Sequence, residues 1–312
     1  MNFAFEQTEA HAGEREQLLA GVELGGTKCI CTLASSTGDI LVQRTIDTTN
    51  PDETLNTIAA TLDSWWQSHG FAAIGIASFG PVDLDPGSPT FGFILTTNKP
   101  GWSMTDVGIR LSRAFPVPMA FDTDVNGAAM AEMRWGSGRG LADFAYVTVG
   151  TGVGVGLIVH GKPSRGIAHS EMGHIRVPRV IGDDAPSGCR FHTDCVEGLA
   201  SGPGIEAALR SVHISDIGPD HPVWKRVAQA LTCLCHALVV TTGPARIAIG
   251  GGVIARQPHL FGMLEPMLRA SINGYMQLPD HAIVIAPELG TQAGPLGPIA
   301  LAAGGADQAS SA

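Results

Sequence analysis

The sequence predicts an α/β protein of two lobes with mixed sheets. Strand-like and helical patterns alternate along its 312 residues, which is typical of α/β folds. The first strand-like runs are joined by short turns that contain glycine, and such hairpins form antiparallel pairs, so the sheets should be mixed. The glycine-bearing hairpin at 20–34 is echoed by a second one at 144–161. A duplicated, two-lobed architecture would explain this weak internal repeat.

Hydrophobic periodicity assigns the elements of the first half. Leu55, Ile58, Leu62 and Trp65 fall on one face of a helix, whereas β-rich runs bounded by glycine or proline indicate strands. In chain order we expect a hairpin over 20–34, a β-rich stretch over 38–46, a helix over 52–69, a buried strand within 71–83, a helix over 104–114, a short strand over 117–121 and a helix over 125–135.

The second half begins with the repeated hairpin and a loop-rich segment, 163–204, that carries most of the candidate chemistry. Beyond this segment, apolar spacing again predicts helices, and a glycine triplet follows a β-rich run. The expected elements are a helix over 222–240, a strand, glycine turn and helix start over 245–255, a helix over 258–274, a strand over 281–287 and a helix of small residues over 292–303.

The composition indicates a globular, cytoplasmic protein. Hydrophobic residues make up 44% and charged residues 15% of the chain, and the formal net charge of −10 disfavours nucleic acid as a partner. No apolar run approaches the ~20 residues that span a bilayer, and the first twenty residues lack the basic start of a secretory signal. Six cysteines in such a chain do not suggest a disulfide framework. We expect no membrane partner and no nucleic-acid partner.

Three glycine turns, each directly after a β-rich run, could cradle phosphate groups. They are Gly25-Gly26-Thr27-Lys28, Gly150-Thr151-Gly152 and Gly250-Gly251-Gly252. Glycine lets backbone N–H groups approach anionic oxygens, although each segment could also be only a tight β-turn. A Walker A loop is absent because Cys29 follows Lys28, and a dinucleotide fingerprint fails at Val155 or Leu157. A two-hairpin phosphate grip with a third turn near a nucleoside remains.

Two acids lie where a strand ends and a helix begins, in the run Asp122-Thr123-Asp124. An acid or a hydroxyl at such a position can simply cap the helix. Phosphoryl transfer to a hydroxyl also needs a carboxylate within hydrogen-bond reach to accept the proton. Both roles fit this run if Asp122 or Thr123 caps the helix and Asp124 acts as a general base.

His174 and the segment Cys189-x-x-His192-x-x-Cys195 have the composition of a metal site. Two Cys and two His suit tetrahedral Zn²⁺, and the compact knuckle presents three ligands from one loop. The alternative is a pair of isolated buried thiols with surface histidines, which the polar, Pro/Gly-rich surroundings disfavour. Four protein ligands would close the site, so the zinc should be structural. A zinc protease is not indicated, because HSEMGH lacks the H-E-x-x-H spacing.

Glu171 and Glu197 flank the metal ligands in sequence. Zinc would draw both segments together into a rigid wall, whose carboxylates could accept hydrogen bonds from vicinal sugar hydroxyls. His174 could share that task through its second ring nitrogen. Most glutamates are solvated surface acids, and this alternative remains open for both residues.

These motifs resemble the ROK family of sugar kinases and repressors, most closely its zinc-containing fructokinase subgroup. The matching segments run from residue 22 to 253, with a weaker echo at 293–302, and only their combination is specific. They are VELGGTK, ASFGPVDLDPGSPTFGF, TTNKPGW, FDTDVNGAAMAE, VTVGTGVGVG, HSEMGH, CRFHTDCVEGLASGP and AIGGGV.

The resemblance implies a two-lobed actin-like ATPase (ribonuclease H-like) fold with a zinc-bound loop, ATP with Mg²⁺, and commonly a homodimer. It implies phosphorylation of a hexose, with D-fructose to fructose 6-phosphate favoured and glucose or mannose as close rivals. Asp124 would be the general base. The sugar contacts would be Asn98, Glu171, His174 and Glu197, the zinc ligands His174, Cys189, His192 and Cys195, and the nucleotide would be held by the three glycine turns with Thr27 and Thr151.

The expected organisation has two lobes between two tails. It comprises a flexible N-terminal tail (1–19), a smaller α/β lobe (20–121) on which the C-terminal helix (about 292–303) packs back, a larger α/β lobe (122–291) with the zinc-binding loop 174–195, and a frayed tail (304–312).

Three positions depart from the common family pattern. Glu23 stands in place of the usual Asp of the first strand, and Thr123 in place of the Asn before the catalytic Asp. Fructokinase-like members share both changes. Val155 replaces a glycine often seen in the second phosphate turn.

Two non-enzymatic classes of protein are alternatives to the kinase. Repressors of the family carry a DNA-reading module ahead of the first strand, where this sequence has about twenty residues. A catalytically dead, sugar-sensing protein is disfavoured by the presence of Asp124 and of all three glycine turns.

Overall fold

The computed structural model describes residues 17–310, which form twelve β-strands and eight α-helices. In chain order the strands are β1 (Leu18–Leu24), β2 (Lys28–Ser35), β3 (Ile40–Asp47), β4 (Ile74–Ser78), β5 (Phe93–Ile94), β6 (Thr105–Asp106), β7 (Met119–Thr123), β8 (Phe144–Val149), β9 (Val153–Val159), β10 (Lys162–Pro163), β11 (Ile247–Gly250) and β12 (Val284–Ile285). The helices are α1 (Pro51–Ser68), α2 (Gly108–Ser112), α3 (Asp124–Trp135), α4 (Val196–Ala200), α5 (Gly202–Leu209), α6 (Val223–Thr241), α7 (His259–Ile272) and α8 (Ala293–Ser310).

Two five-stranded sheets repeat one topology. The first has the order β3-β2-β1-β4-β7, in which β1, β2 and β3 pair antiparallel while β4 and β7 continue parallel to β1. The second has the order β10-β9-β8-β11-β12, again with an antiparallel triplet followed by two parallel strands. The two glycine hairpins therefore occupy equivalent places. The prediction of an α/β fold with mixed, duplicated sheets is confirmed.

Each sheet has its own hydrophobic core. Helix α1 covers the first sheet with the predicted face, since Leu55, Ile58, Leu62 and Trp65 are all buried. Asn50 caps this helix by accepting a hydrogen bond from the Glu53 N–H at 3.0 Å. The larger core forms where α6 and α7 pack on the second sheet.

Helices α3 and α8 pack against each other between the two sheets. Helix α8 lies so close to β4 that a Cβ on Gly75 would come 1.7 Å from the Pro298 carbonyl oxygen. Helix α3 lies equally close to β9, because a Cβ on Gly156 would come 2.1 Å from the Val125 carbonyl oxygen. Any side chain at either position would force these elements apart.

Helix α6 is, within residues 17–310, the one helix whose length and apolar composition would allow it to cross a membrane. It has 19 residues, and 67% of its most apolar window is buried inside the fold. The core helices of globular proteins have the same properties, and its packing under the second sheet accounts for them.

Three sequence predictions about secondary structure are wrong. The strand expected over 281–287 is only β12, which has two residues. The helix expected over 104–114 is only α2, because Thr105 and Asp106 pair with β5 and the Asp106 carboxylate accepts hydrogen bonds from the N–H groups of Ile109 and Arg110. The loop-rich segment 163–204 contains α4 and the first three residues of α5, which begins at Gly202. Their composition hides both helices, since glycine and proline recur in and around them.

The two expected tails are shorter than predicted or lie outside the described residues. Leu18 and Leu19 belong to β1, and the rest of the N-terminal tail lies outside the described residues except for residue 17. Helix α8 continues through Ser310 instead of ending near residue 303, and residues 311–312 lie outside the described range.

We expect Gly156→Ala to lower the free energy of unfolding by about 1–3 kcal/mol, because the new methyl group must displace α3 from β9. Gly262→Ala is the matched control: Gly262 is exposed within α7, and a Cβ there meets nothing within 4 Å. The control should gain roughly 0.5–1 kcal/mol from helix propensity. Urea denaturation measures both changes, and equal stability of the two variants would contradict the packing argument.

Candidate active site

Two adjoining cavities open where the parallel strands of both sheets end. The larger, of about 850 Å³, lies beyond the carboxyl ends of β4, β7 and β8, and the smaller, of about 410 Å³, lies beyond β11. Thr148 lines both cavities. Ligand sites in open α/β sheets occur at this edge. Two ligands bound here would meet near Thr148.

Asp124 is the first residue of α3 and lines the larger cavity. The helix is capped by Thr123, whose hydroxyl accepts a hydrogen bond from the Asn126 N–H at 3.1 Å. The Asp124 carboxylate accepts from the Val125 N–H at 2.9 Å. Removal from water raises the pKa of Asp124 to about 6, against a lowering by that backbone hydrogen bond, and the nearby charge of Glu171 adds to the rise.

Asp122 is a buried structural acid and does not cap the helix. Its side chain is 2% exposed and accepts hydrogen bonds from the Thr123 N–H at 2.7 Å, from the Asn126 amide at 2.8 Å and from Arg165 at 2.7 Å. Burial raises the pKa of Asp122, while Arg165 and the hydrogen bonds oppose this rise. The alternative left open by the sequence is thus decided in favour of Thr123 as the cap.

Glu197 joins the second glycine turn to the candidate metal cluster. Its Oε2 accepts a hydrogen bond from the Val153 N–H at 3.1 Å, and its Oε1 lies 3.9 Å from Nε2 of His174. Both side chains line the larger cavity. A displacement of the cluster would therefore move the Glu197 carboxylate, which is hydrogen-bonded next to the second glycine turn.

Glu171 lines the same cavity beside His169, a residue to which the sequence analysis assigned no role. His169 is 8% exposed, and its Nε2 accepts a hydrogen bond from the Val82 N–H at 3.1 Å. Its Nδ1, which lies 3.5 Å from Oε1 of Glu171, must then carry the proton of a neutral ring. In the sequence, the spacing of His169 from His174 relates only to a protease motif, whereas the hydrogen bond of His169 to Val82 depends on the distant turn after β4.

His174, Cys189, His192 and Cys195 converge, with one ligand atom from each within 4.8 Å of the others. The Cys189 sulfur lies 3.7 Å from Nδ1 of His174 and 3.8 Å from Nδ1 of His192. The Cys195 sulfur lies 3.8 Å from Nδ1 of His174. A tetrahedral zinc site with ordinary bond lengths has sulfur and nitrogen about 3.5 Å apart. The donor set fits such an ion.

Backbone N–H groups point at both sulfurs of this cluster. Phe191 donates to Cys189 at 3.4 Å, and Gly198 donates to Cys195 at 3.3 Å. Such bonds stabilise thiolates, which are the form of cysteine that binds a metal. His174 meets the cluster with Nδ1 and faces Glu197 with Nε2, so one imidazole can serve both the ion and the cavity.

The structure divides the predicted phosphate-binding residues between the two cavities. Gly26, Thr151 and Gly152 line the larger one, whereas Lys28 and the Gly250–Gly252 triplet line the smaller one. Gly25 and Thr27 line neither cavity; they close the first hairpin, where the Gly25 N–H donates to the Lys28 carbonyl at 3.1 Å.

Val155, which stands where the family often has a glycine, lines neither cavity. It is 1% exposed and packs in the larger core opposite Val147, three residues beyond the turn itself. The side chain therefore contributes to the core and does not obstruct the turn.

Glu23, near the end of β1, lines the smaller cavity together with Lys28. Burial raises the pKa of Glu23 to about 7, and the charge of Asp124 adds to the rise while Lys28 opposes it. Its Oε2 is buried and has no hydrogen-bond partner among the described residues. An unpaired buried carboxylate oxygen is a fitting ligand for a cation, or for water held by one.

Asn98 also lines the larger cavity, and its Oδ1 accepts a hydrogen bond from Arg190 at 2.9 Å. The next residue, Lys99, donates to the Gly26 carbonyl of the first turn at 2.5 Å. The segment that carries Asn98 thus contacts the first glycine turn on one side and the cysteine knuckle on the other.

Known fructokinases resemble this chain over most of its length. It is 37% identical over 286 residues to the fructokinase of Pediococcus pentosaceus, which covers 91% of this chain and 97% of that protein. It is 39% identical over 292 residues to the fructokinase of Zymomonas mobilis, which covers 90% of this chain and 95% of that protein.

Solved structures of sugar kinases share the fold. The ROK hexokinase from Thermus thermophilus superposes with a TM-score of 0.78 at 25% identity, covering 94% of this chain and 100% of that one. A ROK family glucokinase from Streptomyces griseus, in complex with glucose and AMPPNP, has a TM-score of 0.70 at 25% identity, covering 92% and 100%. Residues 19–304 match the ROK family, and the chain therefore belongs to that family.

Proposed function

We propose that this protein is a kinase that transfers the γ-phosphoryl group of ATP to a hexose, converting D-fructose to fructose 6-phosphate. The observation that carries this proposal is the position of Asp124 on the larger cavity, at the start of α3 and beside the first two glycine turns. The two fructokinase relatives, at 37% and 39% identity over about 90% of the chain, favour fructose over glucose, because the glucokinases that match a similar share of the chain are 25–26% identical to it.

The sugar would occupy the larger cavity and the nucleoside the smaller one, with the phosphates between them near Thr148. Gly26, Thr151 and Gly152 offer backbone N–H groups to the phosphate oxygens, and Lys28 and the Gly250–Gly252 triplet border the nucleoside side. Glu23 would hold the magnesium that accompanies ATP, and this ion supplies neutralisation of the phosphate charge.

Asp124 would act as the general base. The 6-hydroxyl attacks the γ-phosphorus, the bond from that phosphorus to the bridging oxygen breaks, and the hydroxyl proton passes to the Asp124 carboxylate. Because burial raises the pKa of Asp124 to about 6, the carboxylate is ionised at neutral pH and remains basic enough to accept a proton.

Asn98, Glu171, His174 and Glu197 would orient the sugar, since all four line the larger cavity. Carboxylates accept hydrogen bonds from hydroxyl groups, while an amide N–H₂ or a ring N–H donates to them. Such a mixture of donors and acceptors matches a polyhydroxyl substrate.

Zinc is the ion that we propose for the cluster of His174, Cys189, His192 and Cys195. Four protein ligands leave no open position, so the ion would hold the loop and take no part in the chemistry. Its place next to Glu197 makes the sugar site dependent on it.

The kinase is also proposed to be a cytoplasmic homodimer whose lobes divide near residues 121 and 291. A glucokinase or mannokinase of the same family is the second candidate, and a non-catalytic sugar sensor the third. The glucose complex of the Streptomyces griseus relative supports the second candidate.

A coupled ADP-release assay across fructose, glucose, mannose and N-acetylated sugars tests the substrate. We expect fructose to give the highest kcat/KM. A higher value for glucose or mannose would overturn the choice of sugar and leave the kinase intact, whereas no sugar-stimulated ADP release would contradict the kinase itself.

Asp124→Asn should lower kcat by about 10²–10⁴-fold, since a positioned base is lost while the side chain keeps its size. In the wild type, kcat/KM should fall as the pH drops below about 6, where Asp124 becomes protonated. Because a raised carboxyl pKa lowers stability as the pH rises from about 4 to about 6, Asn should not reduce Tm at pH 7.5.

Asp122→Asn is the control for this base. Its amide N–H₂ would face the Arg165 guanidinium, so two donors would meet and Tm should fall while turnover largely survives. Retained turnover in Asp124→Asn would contradict the assignment of Asp124 as the base. So would an Asp122→Asn variant that is fully stable but has lost its turnover.

Purified protein should contain about one zinc per chain by elemental analysis. Cys189→Ser should lose the metal, and its affinity for fructose should fall more than its affinity for ATP. The reason is that the cluster lies against Glu197 on the side of the larger cavity. Cys233→Ser, outside the cluster, is the matched control and should keep both. Chelator-free protein without metal would exclude the zinc site.

A further inference from the structure

Two residues inside the cysteine knuckle are not metal ligands, and one of them, Phe191, lines the larger cavity. Arg190 and Phe191 lie between Cys189 and His192, and Phe191 lines the cavity with 65% of its surface exposed. The Phe191 N–H is held by the Cys189 sulfur at 3.4 Å. Because the ligands on either side belong to the cluster, the direction of these two side chains depends on the knuckle.

The Arg190 guanidinium reaches Asn98, 92 positions away in sequence, and donates to its Oδ1 at 2.9 Å. Asn98 belongs to the segment between β5 and β6, whereas Arg190 belongs to the loop beyond the second sheet. Both side chains are exposed. The bond therefore joins, at the surface, a residue that lines the larger cavity to the loop that carries the candidate metal cluster.

This bond determines which way the Asn98 amide faces. A guanidinium can only donate hydrogen bonds, so the atom that meets it must be the amide oxygen. The amide N–H₂ is then the group left for the cavity, where it is a donor. The neighbouring carboxylates of Glu171 and Glu197 are acceptors at neutral pH. A hydroxyl placed among them can accept from Asn98 and donate to a carboxylate.

The backbone of the Asn98 segment is anchored separately. Lys99 donates to the Gly26 carbonyl at 2.5 Å, and the Thr97 N–H donates to the Ser103 hydroxyl at 3.1 Å. Neither contact touches the Asn98 amide. Loss of Arg190 should therefore release the amide while the segment stays in place.

We propose that Arg190 is a positioning residue for sugar binding, which orients the Asn98 amide as a donor toward a substrate hydroxyl and ties the cysteine knuckle to the opposite wall of the cavity. This inference rests on the proposed function. It adds that the knuckle acts on the sugar through a residue that is not one of its metal ligands.

A double-mutant cycle on the metal-loaded, full-length protein tests it. Fructose binding is measured by calorimetry without nucleotide for Arg190→Ala, Asn98→Ala and the double variant, alongside KM and kcat. Loss of a charged hydrogen bond should raise the Kd and KM for fructose by about 10-fold in Arg190→Ala, with kcat and the KM for ATP changed less than about 3-fold. The double variant should bind no more weakly than Asn98→Ala alone.

Two further variants separate positioning from a structural role. Arg190→Lys, which keeps one charged donor, should recover part of the fructose affinity. Thr193→Ala, a neighbouring exposed residue of the knuckle outside the cavity, should behave as wild type. Zinc content should be equal in all variants, because Arg190, Asn98 and Thr193 are not members of the metal cluster.

Fully additive effects of Arg190→Ala and Asn98→Ala would overturn the proposal, as would unchanged fructose affinity in Arg190→Ala. Weaker binding of fructose 6-phosphate with unchanged fructose binding would also overturn it, since Arg190 would then contact the product phosphate. If the wild type phosphorylates another hexose, the proposed substrate fails, and the same cycle with that sugar still decides the role of Arg190.

Discussion

The close contact between α3 and β9 is the constraint on which the site depends. Gly156 allows the Val125 backbone to lie against the second sheet, while the same helix packs on α8, which in turn lies on the first sheet. Asp124, one residue before Val125, is thereby held at the junction of the two halves. Thr123 ends β7 and caps α3 at once, so the carboxylate follows a strand of one sheet and begins a helix packed on the other.

Glu197 connects two parts of the larger cavity that are distant in sequence. Its carboxylate accepts the Val153 N–H beside the second glycine turn and approaches the ring of His174, a member of the cysteine and histidine cluster. The cluster and the strand that follows the second glycine turn therefore both contact one carboxylate. A structural ion in such a place can affect substrate binding without any open coordination position.

Features that depend on neighbouring residues could be predicted from the sequence, whereas contacts between distant segments could not. The glycine hairpins, the amphipathic face of α1 and the spacing of Cys189, His192 and Cys195 depend on neighbouring residues, so the sheets and the cluster could be anticipated. The bonds of His169 to Val82 and of Arg190 to Asn98 could not, because they join segments 87 and 92 positions apart whose meeting depends on the order of the strands. Helices α4 and α5 were missed since the Cys195 sulfur and the Ser201 hydroxyl, more than helix propensity, determine where they start.

The two cavities are lined by several carboxylates, which disfavour an anionic ligand that binds alone. Glu23, Asp124, Glu171 and Glu197 line the two cavities of a chain whose net charge is already −10. Burial is the main cause of the raised pKa values of Glu23 and Asp124, and repulsion by the charges of Asp124 and Glu171, respectively, adds to the rise. An anionic nucleotide would add to this repulsion, and a cation bound with it would reduce the repulsion together with the basic side chains nearby, among them Lys28, Lys99 and Arg256. A cation bound with the nucleotide would stabilise the ionised form of both acids, which is the form in which Asp124 can accept a proton.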